Sequence, residues 1–296
     1  MDLCDLAFLR ALMRRHGFQT QKDFGQNFLI NPEVPVNIAK SACAEGRGVL
    51  EIGPGVGCLT RELAKRAEKV VTVEIDEKLA PILNETLSDF DNVSVVYGDV
   101  LKLDLRALIE REFAGLDVSV CANLPYYITT PIITKLIEER LPLKTITVMV
   151  QREVAQRLCA DENSKDNGAI SLCVRYFTEP EYLFDVPARD FFPAPSVDSA
   201  VIRLTVLPSP RVSVRDEAHM FGLIRAAFSQ RRKTLANALS NMTGLDKNEL
   251  YGYLLSMGKN KDIRGERMSI EDFAKLSDMI KKQHARTLAP ENQKKG

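Results

Sequence analysis

Five short, nearly continuous runs of β-branched and apolar residues constrain this chain most: Val49 to Ile52, Val70 to Ile75, Val93 to Tyr97, Val118 to Ala122 and Thr145 to Val150. Between them lie stretches of helical period such as Leu59 to Ala67, Glu77 to Asp89 and Pro131 to Glu139. A strand that is apolar on both faces must be covered on both faces, and a helix between successive strands supplies the cover while returning the chain for parallel pairing. The pattern predicts an α/β fold around a parallel sheet. Pro131, after Thr129 and Thr130, reads as proline at the first position of a helix. After a further helix from Arg152 to Cys159, the runs Ile170 to Phe177, Glu181 to Pro187 and Ala200 to Val206 read as strands without long crossovers, hence an antiparallel edge. Pro208-Ser209-Pro210 marks the best boundary, giving a first domain over 1–207 and a small all-helical domain over 208–296. In the latter, Glu217 to Asn241, Lys247 to Ser256 and Ser269 to Lys282 carry helical period. The polar tail around Lys294-Lys295 is expected to be disordered.

With 296 residues the chain can build more than one core. No apolar run approaches the roughly 20 residues of a membrane helix. Met1 to His16 can form an amphipathic helix with Leu3, Leu6, Leu9 and Met13 near one face, but Asp2 and Asp5 do not suit a transit peptide and no cleavable signal pattern is present. A cytoplasmic location is expected. The six cysteines are scattered, with no C-x-x-C pair or metal-ligand spacing, so neither a structural zinc nor a disulfide frame is expected. Net charge is zero, yet it is unevenly placed: Pro208 to Gly296 holds 17 Lys and Arg against 10 Asp and Glu. Such asymmetry points to nucleic-acid contact at the basic end. Its densest run, Arg231-Arg232-Lys233, falls on a predicted helix whose apolar positions are Phe221, Ile224, Phe228, Leu235 and Leu239. A solvated face without a partner is the competing reading.

Gly53-Pro54-Gly55-Val56-Gly57 follows directly on the first apolar run. Glycines there allow a tight turn and a close approach of backbone to ligand. Glu74 ends the next strand, where an acidic side chain can accept hydrogen bonds from ribose hydroxyls. The dinucleotide pattern G-x-G-x-x-G/A is not met, because Cys58 stands at its third glycine, and this favours a cofactor without a pyrophosphate. Glu51, inside an otherwise apolar strand, points the same way, since a carboxylate near the loop suits a cationic amino-acid ligand and repels phosphate. Gly98-Asp99 closes the following strand with a carboxylate to which an adenine amino group can donate. Ligands of open α/β sheets gather at such strand ends. Plain turn glycines and strand-end acids are the blander reading, against which the succession of glycine loop, Glu74, Asp99 and Asn123 weighs.

Cys121-Ala122-Asn123-Leu124-Pro125-Tyr126-Tyr127 ends its strand with an amide, a proline turn and an aromatic ring, equipment for gripping a flat base by its amino edge. Acceptors on both amino hydrogens, the Asn123 side-chain oxygen and the Leu124 carbonyl, would pull the nitrogen toward tetrahedral geometry and aim its lone pair at a methyl donor. Tyr126 can stack on the base, and Phe191 or Phe192 of Phe191-Phe192-Pro193-Ala194-Pro195 can close its other face, at about 1–3 kcal/mol per stacked base. Core packing for Tyr126 and a rigid loop for the proline-rich segment are the alternatives.

With these motifs the sequence resembles the small-subunit (16S) ribosomal RNA adenine N6-dimethyltransferases, the KsgA family, over nearly its whole length. Added to the stretches above, Gln21-Lys22-Asp23-Phe24-Gly25-Gln26-Asn27-Phe28-Leu29 and Ala227-Phe228-Ser229-Gln230-Arg231-Arg232-Lys233-Thr234-Leu235 carry the likeness. The resemblance implies a Rossmann-like class I methyltransferase sheet, S-adenosyl-L-methionine as cofactor, and dimethylation of N6 on two adjacent adenosines in a hairpin near the 3′ end of small-subunit rRNA. It implies as partner the rRNA of the assembling 30S particle, with the chain acting as a monomer, no metal and no membrane. Carried onto matching positions, the cofactor contacts are Asn27, Leu29, Gly53, Glu74, Asp99 and Asn123. The catalytic set is Asn123, Leu124, Pro125, Tyr126 and Phe191, with Phe191 as the stacking ring at the first position of F-x-P-x-P. Arg231, Arg232 and Lys233 would meet RNA. A related enzyme dimethylating a large-subunit rRNA adenine and conferring antibiotic resistance is the nearest rival, and a non-catalytic RNA-binding factor on the same fold is another. The run Gln230 to Leu235 and the helical tail disfavour the first, and intact Glu74, Asp99 and Asn-Leu-Pro-Tyr disfavour the second.

Overall fold

The computed structural model describes residues 1–20, 25–42, 46–161, 164–230 and 232–288, with side chains to 283. They form two compact units, one of Met1–Cys159 with Glu179–Leu207, the other of Ala160–Thr178 with Pro208 onward. In the first unit the chain runs α1 (Leu6–Arg15), β1 (Phe28–Leu29), α2 (Glu33–Ala42), β2 (Gly48–Ile52), α3 (Cys58–Ala64), β3 (Lys69–Glu74), α4 (Ala80–Thr86), β4 (Val93–Tyr97), α5 (Leu105–Glu112), β5 (Val118–Asn123), α6 (Thr129–Glu138), β6 (Leu143–Gln151) and α7 (Arg152–Leu158). After α8 (Ala169–Phe177) come β7 (Thr178–Val186), β8 (Phe191–Phe192) and β9 (Ser199–Val206).

Seven strands pair in the order β4-β3-β2-β5-β6-β9-β7. The five predicted apolar runs are its parallel part, and β9 pairs antiparallel with β6. Because β2 has β3 on one side and β5 on the other, the chain order reverses between β2 and β5, and an open sheet leaves its crevice at that point. The ladder continues one hydrogen bond past three strand ends: Gly53 N–H donates to Val73 O (2.9 Å), Gly98 N–H to Glu74 O (2.8 Å) and Leu124 N–H to Met149 O (3.1 Å). The three loops therefore leave the sheet at one rim.

Both faces of the sheet are covered, as apolar strands require. Val34 and Ile38 of α2 and Leu59 and Leu63 of α3 pack with Val49, Val70, Cys121, Met149 and Val201. A second cluster joins Leu9 and Leu12 of α1 to Ile82 and Leu83 of α4 and reaches Val93 and Val95 on the same face of the sheet as Val49 and Val70, while Leu50, Val71, Val120 and Ile146 on the opposite face are fully buried. A separate two-stranded pairing sets Phe28 opposite Phe192 and Leu29 opposite Phe191, bringing the N-terminal loop to the proline-rich segment. Neither this pairing nor α2 and α5 was anticipated from the sequence.

Ile170 to Phe177 is helical, not a strand. It buries Ser171, Leu172, Cys173, Val174, Tyr176 and Phe177, and over so short a stretch a mostly apolar run does not separate a buried helix from a buried strand. It starts at Gly168, whose N–H donates to Ser171 Oγ at 3.0 Å, and it belongs to the second unit. Pro131 is the third residue of α6, still within the first turn. The second unit continues with α9 (Glu217–Ser229), α10 (Leu235–Thr243), α11 (Lys247–Ser256) and α12 (Ile270–Leu288). The single helix predicted over 217–241 is thus two. Thr234 is extended (φ −65°, ψ 154°), which interrupts the helical backbone and starts a new helix after it; its Oγ1 accepts from the Asn237 side chain at 2.7 Å. The tail from 289 onward lies outside the described residues. Among those described, no helix is long and apolar enough to cross a membrane.

Candidate active site

At the carboxyl ends of β2, β3, β4 and β5 the first unit opens a cleft enclosing about 1060 Å³ of empty space, its mouth included. Every position that the resemblance assigns to cofactor or catalysis lines it: Asn27, Leu29, Gly53, Glu74, Asp99, Asn123, Leu124, Pro125, Tyr126 and Phe191. Gly55 and Gly57 have φ of 58° and 95°, the left-handed region that side chains disfavour. Space demands glycine too, since a Cβ at Gly55 would stand 3.1 Å from Phe28 Cε1 and one at Gly57 3.1 Å from Thr86 Oγ1. Directly after this loop, Arg61 N–H donates to Gly57 O (3.0 Å) and α3 begins.

Glu74 is 5% exposed, and burial pushes its carboxyl above the usual range against the opposing pull of backbone N–H donors, among them Asp76 at 2.8 Å from Oε1. Asp99 accepts from Leu101 N–H through Oδ1 at 3.0 Å, and its Oδ2 lies 3.4 Å from the exposed Lys102 Nζ. On the opposite wall, Asn123 Nδ2 donates to the Asn27 carbonyl at 3.4 Å. A carbonyl only accepts, so this contact assigns the amide: the nitrogen faces Asn27 and Oδ1 is the end available to accept. Asn27 is itself held by Nδ2 donating to Gly25 O at 3.0 Å. Tyr126 is half-buried and its hydroxyl is 2.7 Å from Ser199 Oγ, which fixes the ring.

Some expectations change. Glu51 does not reach the cleft. It shares the α3 side of β2 with Val49, pairs across the sheet with Thr72 and Cys121, and is fully buried. No hydrogen bond of normal geometry reaches its carboxylate; desolvation pushes the group up to about 7, with the hydroxyls of Thr60 and Thr72 close enough to oppose the shift. Phe191 borders the cleft but is only 3% exposed and packs with Leu29, Val34 and Met149, while Phe192 lies under the Arg10 guanidinium, 4.8 Å from ring centroid. Arg232 and Lys233 are exposed in the turn between α9 and α10 rather than on a helix, and Arg231 lies outside the described residues.

The cleft also contains residues that sequence reasoning passed over. Ile75 (45% exposed) and Tyr127 (55% exposed) stand at its mouth, and Gln26 donates from Nε2 to Asp76 Oδ2 at 3.1 Å. The available signal was adjacency, since Ile75 follows Glu74 and Tyr127 follows Tyr126. In the sequence Ile75 reads only as the end of an apolar run and Tyr127 only as the end of the Cys121–Tyr127 motif, and the folded strand ends show that both project past the sheet.

The glycine loop and an Asn-Leu-Pro-Tyr turn facing it across one cleft are accompanied by a match of residues 17–282 to the model of the ribosomal RNA adenine dimethylase family. The chain belongs to that family. This dimethylase is 48% identical over 277 residues to the ribosomal RNA small subunit methyltransferase A of Bacillus licheniformis, covering 92% of this chain and 95% of the relative. A dimethyladenosine transferase from Plasmodium falciparum superposes with a TM-score of 0.73 at 26% identity, over 87% of the dimethylase and 98% of that chain. The 23S rRNA methyltransferase ErmE gives 0.66, also at 26% identity, over 86% and 99%. The sheet, its antiparallel edge and the helical C-terminal region are those of class I rRNA methyltransferases.

Proposed function

We propose that this chain uses S-adenosyl-L-methionine to dimethylate N6 of two adjacent adenosines in a hairpin near the 3′ end of small-subunit rRNA, working as a monomer on the assembling 30S particle. The position of Asn123 carries the reading: an amide with its oxygen available, at the strand end facing the glycine loop and next to Tyr126. The cleft fits the cofactor. Its wall has the carboxylates of Glu74 and Asp99 and, among the described residues, no Lys or Arg, a lining that favours a cationic nucleoside over a phosphate. Glycine at 55 leaves room that a Cβ would take.

When bound, S-adenosyl-L-methionine supplies the methyl group. Glu74 accepts hydrogen bonds from the ribose hydroxyls and Asp99 from the adenine amino group, while Asn27, Leu29 and Gly53 border the remainder. The target base slides beside Tyr126, with Phe191 behind the pocket, and its amino hydrogens are accepted by Asn123 Oδ1 and the Leu124 carbonyl. These acceptors withdraw the nitrogen lone pair from the ring, which is the electronic obstacle to alkylating an exocyclic amine. The alkylated ammonium loses its proton to water, so a strong general base is unnecessary. Holding the reactants in near-attack geometry contributes about 7–11 kcal/mol in favourable cases.

The 48% identity to a small-subunit enzyme, against 26% to a 23S enzyme, favours the small subunit. The test is incubation with labelled S-adenosyl-L-methionine and either small or large subunits lacking the modification, then digestion to nucleosides. Label in N6,N6-dimethyladenosine from small subunits is expected. Label from large subunits alone would transfer the assignment to the rival enzyme, and no label from either would leave a non-catalytic RNA-binding factor.

A further inference from the structure

Cys4 and Cys58 are far apart in sequence and meet in the first unit. Cys4 sits in the turn before α1, its N–H donating to Asp2 Oδ1 at 3.0 Å, and is buried. Cys58 is the first residue of α3, lies against the cofactor cleft and is partly exposed. Its Sγ–H donates to the carbonyl of Leu3, the residue joined to the Cys4 nitrogen, at 3.5 Å, and the two thiols lie close enough to shift each other's ionisation. Either residue alone would be a small core side chain. Together, at the wall of a cleft that admits solvent, they form a dithiol.

We propose that Cys4 and Cys58 are a reversible covalent modification site, which a small-molecule disulfide entering the cleft converts to an intrachain disulfide. The Cys58 thiolate attacks one sulfur of the reagent, giving a mixed disulfide and releasing one small thiol. The Cys4 thiolate then attacks Cys58 Sγ, forming the Cys4–Cys58 bond and expelling the second small thiol. Two protein thiols are oxidised, one reagent disulfide is reduced, and both protons pass to the released thiolates. Bond formation brings the two neighbouring sulfurs to about 2.05 Å. The neighbouring Cys58 thiol holds Cys4 below its usual range, which suits the resolving step, whereas the neighbouring Cys4 and burial push Cys58 up and make the first step the slow one.

The bond would tie the segment ahead of α1 to the first turn of α3, beside Gly57, where the loop already lies against Thr86 and Leu87. The glycine loop has little slack there, so closing the bond shifts the cofactor wall. This consequence rests on the cofactor reading above, and the chemistry of the bond does not.

The full chain is reduced, then incubated with oxidised glutathione and followed by intact mass and non-reducing peptide mapping. A loss of two hydrogens, one linked peptide pair joining Cys4 to Cys58, and reversal by dithiothreitol are expected. Cys4→Ala should stop at a mixed disulfide on Cys58 and, when reduced, bind S-adenosyl-L-methionine as the parent does. Persistent free thiols, linkage of another cysteine pair, or loss of two hydrogens in Cys4→Ala would each overturn the site. Calorimetry with S-adenosyl-L-methionine should show the linked parent binding about tenfold more weakly than the reduced parent, the size expected for one displaced charged hydrogen bond. Equal binding by the two forms would overturn the coupling, and absence of binding by the reduced parent would instead remove the cofactor reading while leaving the cross-link in place.

Discussion

In the proposed reaction Asn123 and Glu74 do different work although both stand at strand ends. The Asn123 amide is oriented by the Asn27 carbonyl, so its oxygen is pre-positioned for an amine whose acidity rises as the transition state forms. Asn123→Ala is expected to keep the fold and rRNA affinity and to lower kcat by about 10²–10³, as loss of a pre-positioned transition-state group does. Single-turnover methylation alongside circular dichroism checks this, and retained turnover would make Asn123 a packing residue. Glu74 acts in the ground state of the proposed reaction, its carboxylate holding ribose hydroxyls. Glu74→Ala should weaken S-adenosyl-L-methionine binding by about 1.5–3 kcal/mol, the worth of charged hydrogen bonds, with rRNA affinity unchanged; equal calorimetric affinity in variant and parent would sink the assignment. Both residues were legible in the sequence because each ends an apolar run, where the side chain leaves the sheet. Glu51 was misread because the period of a strand tells which positions share a face but not which face meets the cleft.

Along β2, that misreading has an energetic consequence. The Glu51 carboxyl is pushed up to about 7 by burial, from an ordinary 4.5. Between those values the folded chain keeps a proton that the unfolded chain has released, so the stability Glu51 contributes is complete below about 4.5 and lost as pH rises through about 7. The difference corresponds to about 3 kcal/mol. Glu51→Gln, neutral at every pH, should be more stable than the parent at pH 8, similar at pH 4.5, and flatter between; urea melts across this range measure it. Parallel curves for the two proteins would show that another group titrates. Elements differ in legibility for a related reason. The parallel strands are read correctly because they are short, β-branched and bounded by turns, whereas α8 has only nine residues and two polar ones, Ser171 and Arg175 one turn apart, too few for its helical period to stand out from an apolar strand.

Over the whole molecule, charge is segregated: the chain is neutral, yet its last 89 residues carry a surplus of seven positive charges. Arg232 and Lys233 project from the turn between α9 and α10 with no packing role visible in their exposure. Replacing both with Ala should weaken rRNA binding and reduce the slope of log affinity against log salt by about one for each phosphate no longer neutralised, leaving S-adenosyl-L-methionine affinity unchanged. Filter binding over a salt series tests this, and an unaltered slope would return the pair to a solvated surface. What the sequence determines by itself is local and periodic: the α/β class, the glycine loop, and the acids and amide at strand ends, each readable because strand geometry sets where its side chain leaves the sheet. The tertiary structure alone decides what depends on pairing between distant segments. Strand order β3-β2-β5 brings the glycine loop against Asn123, and the β1–β8 pairing carries Asn27 to the same wall. The face of β2 that α3 covers buries Glu51, and the approach of the segment before α1 to α3 sets Cys4 against Cys58. Long-range contacts of this kind are chosen by the packing of whole elements, and no window of neighbouring residues contains that information.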